Sequence, residues 1–226
     1  MLSIVEFIIW FATIYVIVSI YENLVHKIFM HNKFFPKRAY DLMPYLIDVF
    51  ESHAVRHHAI WYRKFDYEPD PVGHNENLKI LYLDLFSMLL VTSPVWGALM
   101  WFNTAAGIFY IGLFFLHRFL WNTLHCQMHI PEDVFFRKWG VYRYLARHHF
   151  LHHQDTKKNF NVVFPLADAL IGTKATANMA DIREMLRLGY LLPRSKRVQQ
   201  YFQQQGIPVL GANHIIEIAE KNAVSE

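Results

Sequence analysis

The chain has 226 residues, 54% of them apolar and 18% charged, with a net charge of +3. That length is one domain's worth of chain, and the apolar bias leans toward a membrane protein. No basic run interleaved with aromatics suggests a nucleic-acid surface. The single cysteine, Cys126, excludes an internal disulfide framework and fits a reduced compartment. Histidine is the outlier at 14 residues, most of them in four tight groups.

The first lipid-embedded stretch is residues 2–22, which starts with Glu6 as its only early charge. It has neither a basic residue nor a small-residue cleavage site, so it reads as a retained helix and not as a signal peptide. Residues 31–77 hold one histidine group and end in a turn-rich run, Glu68-Pro-Asp-Pro-Val-Gly-His-Asn. A second span over 80–102 carries Asp84 and a kink at Pro94. A third, over 105–123, is apolar until His117 and Arg118, so it is short and expected to tilt. Each approaches the roughly 20 residues needed to cross a hydrocarbon core. Residues 131–153 read as a helix entering the last histidine group. Residues 174–226 hold amphipathic helices broken at Pro193 and at Gly206–Pro208. The expected fold is all-α, with about three transmembrane helices and a cytoplasmic helical cap. Residues 1–174 would form the membrane domain and 175–226 a cytoplasmic tail.

All 22 Lys and Arg fall within residues 27–79 or 118–221. The positive-inside rule then places the N-terminus and the turn at 102–106 outside, and the rest on the cytoplasmic side. Two spans therefore descend into the cytoplasm and carry histidines just past the membrane boundary.

The groups are His26 and His31; His53, His57 and His58; His125 and His129; and His148, His149, His152 and His153. Residues four apart on an α-helix lie about 40° apart, so His53 with His57, His125 with His129, and His149 with His153 can each grip one ion. Adjacent histidines diverge by about 100° and suit two ions better than one, which argues for a dinuclear site. Imidazole suits iron, zinc, copper and nickel. A structural zinc site takes four ligands, usually including cysteine, and ten histidines far exceed that. The Glu-x-x-His pattern of carboxylate di-iron bundles is absent. Glu22, four residues before His26, is a candidate acceptor for an imidazole. His117 fits either a supporting group or a further ligand, and His148 a supporting group. His74 reads as a loop residue, and His214 as an ordinary core or surface residue.

These residues resemble the fatty acid hydroxylase and sterol desaturase superfamily of membrane di-iron oxygenases, whose four histidine groups have intervals like these. The run from Arg147 to Thr173 resembles that family's closing motif, with Asn159, Asp168, Gly172 and Thr173 at matching places. Asn161 stands where the family has glycine, which puts local backbone geometry in question. The likeness covers about residues 20–174. It implies that His26, His31, His53, His57, His58, His125, His129, His149, His152 and His153 bind two iron ions. Asn159 and Asp168 would orient imidazoles, and dioxygen would be the co-substrate. The implied reaction is hydroxylation or desaturation of a lipid C–H bond in a dry apolar pocket, with Met88, Trp96, Phe114, Phe115 and Trp121 as candidate lining. No haem module is fused to the chain, so electrons would come from a separate cytochrome- or ferredoxin-type protein. The implied location is a multi-pass membrane protein with a cytoplasmic site, in the endoplasmic reticulum of a eukaryote or the inner membrane of a bacterium. The rival readings are a membrane haem protein for electron transfer and a membrane metal-binding protein without redox chemistry.

Overall fold

The computed structural model of the chain describes residues 3–62, 65, 79–129, 134–193 and 195–206. Helices supply the regular structure, and no strand occurs among the described residues. The turn-rich run at 68–75, with His74, and the end of the chain, with His214, lie outside them.

Helix α1 spans Ile4–Met30. Ser3 opens it with a capping box, its N–H donating to Glu6 Oε2 at 2.8 Å. It extends beyond residue 22 because its last turn, His26–Met30, continues as a π-helix. Short helices α2 (Lys37–Leu42) and α3 (Tyr45–Phe50) follow, and α3 runs on directly into an 11-residue π-helix, Glu51–Trp61. Helices α4 (Tyr82–Val91) and α5 (Ser93–Phe102) meet at a 62° bend. Pro94 sits in the first turn of α5, where its missing N–H leaves no hydrogen bond broken. The sequence-expected kink is thus a full break at Thr92. Helix α6 spans Thr104–His129, with a π-helical stretch at Trp121–His125. Asn103 caps it, its side chain accepting from the Ala106 N–H at 3.1 Å.

The helix expected over 131–153 begins later. A 3₁₀ turn at Phe135–Lys138 is followed by an extended Trp139, and α7 (Gly140–Gln154) starts only there. Helices α8 (Leu166–Ile171), α9 (Met179–Arg187) and α10 (Lys196–Gln204) complete the described chain. Pro193 separates the last two, as expected.

Two helices, α1 and α6, are long and apolar enough to cross a membrane; the α4–α5 pair qualifies only as one broken span. Each of its halves, at ten residues, is about 15 Å long, half a hydrocarbon core. Large apolar side chains face outward from all of them, with Ile8 58%, Leu90 74% and Trp101 87% exposed. Such surface is costly in water and at home against lipid.

Inside, α6 packs on α1, α4 and α5, while α8 sits against α1 and α9 against α7. Ile14, Val18, Tyr110 and Phe114 fill the α1–α6 seam, and Leu145, Phe150, Met185 and Tyr190 continue the same core below it. Met185, Leu188 and Tyr190, beyond residue 174, therefore belong to this core: the Tyr190 hydroxyl donates to the Met128 carbonyl at 2.6 Å, and its own carbonyl accepts from Arg147 at 2.6 Å. At the α5–α6 crossing, a Cβ on Gly107 would lie 2.9 Å from the Met100 backbone nitrogen. We expect Gly107→Val to separate the two helices and lower unfolding free energy by about 1–3 kcal/mol. Denaturant titration in detergent measures this, and an unchanged midpoint would contradict the close crossing.

Candidate metal centre

The three π-helical stretches are where five of the histidines reside: His26, His53, His57, His58 and His125. Hydrogen bonding from i to i+5 stacks residues five apart on one face. His26 and His31 are five apart, and their Nε2 atoms lie 3.2 Å from each other; His53 and His58 are five apart, with Nε2 atoms at 3.1 Å. The α-helical expectation had paired His53 with His57. The π-helix instead sends His53 and His58 to one cluster and His57 to another. The four-apart pairs His125–His129 and His149–His153 do stay together.

All ten expected ligands converge. His26, His31, His53, His58 and His152 form one set, with ligand nitrogens all within 4.8 Å of one another; His57, His125, His129 and His149 form a second on the same criterion. His153 joins the second through a 3.2 Å approach of its Nε2 to that of His149. His57, His58 and His153 also lie within 4.8 Å of each other, so the sets adjoin. Adjacent histidines split between them, His57 from His58 and His152 from His153, as helical divergence requires. Among the described residues no cysteine or carboxylate joins either set.

The geometry calls for cations. His26 donates from Nδ1 to the Phe160 carbonyl, and His152 from Nδ1 to the Lys158 carbonyl at 2.7 Å. A carbonyl can only accept, so the remaining Nε2 of each neutral ring carries a bare lone pair. Yet His31 Nε2 faces both, at 3.2 and 3.0 Å, and can donate to only one. In the second set, His129 Nδ1 donates to the Phe65 carbonyl at 3.2 Å, and His149 Nε2 faces His125 and His129, each at 2.9 Å, besides His153. His57 has no hydrogen-bond partner on either ring nitrogen among the described residues. Lone pairs packed this way repel unless something positive lies between them.

Protons do not fill that role at neutral pH. Burial, reinforced by the neighbouring imidazoles, holds His53, His57, His58, His149 and His153 well below the ordinary histidine range. Burial takes His31 down to about 3 and His152 to about 4. Neutral imidazole is the ligand form. The residues present therefore fit two metal ions, five imidazoles to each.

The supporting residues lie further out than the sequence suggested. Glu22 does not touch the ten; its carboxylate accepts from the N–H groups of Val162, Val163 and Phe164 at 2.7–3.0 Å. It pins to α1 the loop whose Phe160 carbonyl holds His26. Asp168, fully buried, accepts from the N–H groups of Phe160 and Asn161, from Asn23 and Thr173, and from His148 Nε2 at 2.8 Å. Burial alone would push its carboxyl up, but the bonds from His148, Thr173 and Asn161 hold it below the usual range. His148 is thus Asp168's partner and stands outside both sets. Asn159, in the left-handed region at φ 51°, donates to the His148 carbonyl at 2.9 Å and accepts from the Ala175 N–H at 2.7 Å; it fixes backbone and touches no imidazole among the ten. Asn161 needs no glycine-like backbone: its buried amide donates to the Ser19 carbonyl at 2.8 Å and accepts from Asn23 at 3.1 Å.

A cavity of about 330 Å³ reaches this centre from the membrane helices. His26 and His53 of the first set open onto it, and no member of the second set lines it. Met88, Phe114 and Trp121 line it as expected; Phe115 is half exposed elsewhere, and Trp96 turns its N–H to the Leu89 carbonyl at 2.9 Å. His117 lines the cavity and belongs to neither set. Sequence reasoning missed Ser19, Asn23 and the carbonyls of Phe65, Lys158 and Phe160, because a backbone acceptor leaves no residue signature.

Comparison with models of known protein families, with curated proteins and with solved structures gives no match to this chain. The chemistry of the site carries the functional reading.

Imidazoles neutral in the fold regain an ordinary value, near 6.5, when unfolded. The unfolded chain then takes up protons first, so stability is intact above about pH 6.5 and is lost as pH falls toward the folded values, about 4 for His152 and about 3 for His31. Melting of metal-free protein between pH 7 and 4.5 should therefore shift steadily downward on acidification. A flat profile would mean these rings are not buried and neutral.

Proposed function

We propose that the protein is a membrane-bound di-iron oxygenase of the fatty acid hydroxylase and sterol desaturase type, acting on a lipid C–H bond. One observation carries the reading: two adjoining five-imidazole sets, one of which opens into an apolar cavity between membrane-type helices. Two iron ions held by these imidazoles would supply dioxygen activation, the chemistry needed to hydroxylate or desaturate an unactivated C–H bond.

The chain's own residues do the rest. His26, His31, His53, His58 and His152 would hold one iron, and His57, His125, His129, His149 and His153 the other. The carbonyls of Phe160, Lys158 and Phe65 fix which ring nitrogen is free to bind. Val18, Val25, Met88 and Phe114 on the cavity wall exclude water and accept a hydrocarbon chain. The charged and polar rim at Tyr45, Arg56, Lys79 and Asp84 suits a lipid lying with its polar end toward the interface. Three crossings, counting α4–α5 as one, with the centre on the cytoplasmic side, agree with the distribution of Lys and Arg. Electrons would arrive from a separate cytochrome- or ferredoxin-type donor.

The rivals fare worse on the same geometry. Facing nitrogens 2.7–3.2 Å apart leave no room for a porphyrin between them. A non-redox ion carrier marks its path with ionisable groups inside the spans, whereas here the ligands gather at the span ends and the adjoining cavity is largely apolar.

Purified protein should contain two irons per chain, and His149→Ala and His152→Ala should each lose metal together with dioxygen-dependent oxygenation of host lipid. Activity lost from either variant at full iron content would count against the assignment.

A further inference from the structure

The turn that carries α1 out of the membrane leads into a segment that the rest of the fold barely covers. About 20 helical residues cross a hydrocarbon core, so α1, starting at Ile4, emerges near headgroup level at its His26–Met30 turn. Residues 27–40 then carry Lys27, Lys33, Lys37 and Arg38 and no acidic residue. All four are exposed, and none forms an ion pair among the described residues. Neither α2 nor α3 has a buried residue. Beside the cations, Phe34, Leu42 and Met43 are 60%, 81% and 51% exposed. A six-residue helix such as α2 does not hold itself together in water, and its packing on α3 alone leaves this apolar surface uncovered.

Two contacts hold the segment at the membrane boundary. Helix α3 packs on the His26–Met30 turn, where α1 leaves the core. The Tyr45 hydroxyl, at the start of α3, donates to Asp84 in the first turn of α4, where the second span enters. The segment therefore runs along the interface. There, a stretch of this composition sets its apolar side chains at the acyl boundary and its cations among the headgroups. Of the nearby carboxylates, Asp48 is taken by Arg56 at 2.8 Å and Asp84 by Tyr45; Asp41 is the one carboxylate on α2.

We propose that α2, α3 and the loop before them form a docking surface for anionic phospholipid of the leaflet that α1 exits. Lys33, Lys37 and Arg38 take the headgroup phosphates, and Phe34, Leu42 and Met43 enter the acyl region. This lipid is a bound partner and not a substrate, since none of these six residues lines the cavity. The same segment does supply Phe35, Tyr45, Leu46 and Val49 to the cavity wall, so the leaflet that seats the segment also seats that wall. An acidic protein has the matching charge but would have to displace the headgroups already at this level. The proposal rests on α1 and α4 crossing a membrane and is independent of the chemistry at the metal centre.

The test measures equilibrium binding of radiolabelled dioleoylphosphatidylglycerol and dioleoylphosphatidylcholine to the full-length protein in neutral detergent micelles. One cation beside an anionic headgroup contributes about fivefold. The wild type should therefore favour the anionic lipid by about tenfold or more, and salt at about 1 M should abolish the preference. Lys33→Gln/Lys37→Gln/Arg38→Gln should bind the two lipids alike, and Arg38→Gln alone should lose about fivefold. Lys138→Gln/Lys196→Gln/Arg197→Gln removes the same charge from exposed positions outside the segment and should keep the preference. Salt and Arg38→Gln read the same interaction if the first triple variant fails to fold. A wild type without preference overturns the proposal and leaves the cations to an acidic protein. An unchanged preference in the first triple variant overturns it, and so do equal losses in both, which would reduce the effect to net charge.

Discussion

Ten imidazole lone pairs pointed at two small volumes are the constraint around which this chain is built. Left to themselves, such groups repel, and burying them removes the water that would otherwise satisfy them. The fold keeps them neutral and close, a state that a bound cation would relieve. A cation held by the native arrangement and not by the unfolded chain would stabilise the fold by mass action.

Holding five side chains from separate segments around one point requires rigid supports, and these are layered. Backbone carbonyls at Phe65, Lys158 and Phe160 take the outer ring nitrogens of His129, His152 and His26. The segment carrying Lys158 and Phe160 is in turn fixed to α1 by Glu22, Ser19 and Asn23, and to α8 by Asp168. Two buried carboxylates thus act through the backbone, each surrounded by donors that make its burial tolerable. Asn161 is accommodated here because its amide fills the space between α1 and this loop and uses both its ends in hydrogen bonds.

Much of this was legible in the sequence. The ten convergent histidines could be picked out because their spacing is improbable without a shared purpose, and the division of His57 from His58 and of His152 from His153 follows from helical divergence alone. The break near Pro94 was legible only as a kink within one span, because proline marks a disturbed helix without saying how far its halves bend apart. What could not be read was the partnership of His53 with His58, since the sequence carries no mark for a π-helix and α-helical spacing favours His57. Glu22 and Asp168 were picked out as supporting groups; Asp168 does hold an imidazole, that of His148, which is not one of the ten, and Glu22 serves backbone amides. A carboxylate's spacing from a histidine suggests a direct bond, while the actual bonds run to amides more than 130 residues away from Glu22. The late start of α7 had no strong signal either, because Trp139 and Gly140 break the helix by conformation, not by proline.

The asymmetry of the centre gives the last step. Both sets are buried, yet the cavity touches only His26 and His53, both of the first set. The second set is enclosed by Phe65, Tyr62 and Trp121, whose rings pack on His129, His57 and His125. One set thus meets the cavity, and the other is shielded from it. The two sets, alike in imidazole chemistry, are set apart by their apolar packing, and no cysteine or carboxylate among the described residues enters either. The three π-helical turns are what allow this. They crowd His26 and His125 near the ends of α1 and α6, and His53, His57 and His58 onto the stretch after α3, so that one face of the cluster meets the cavity and the other meets the core.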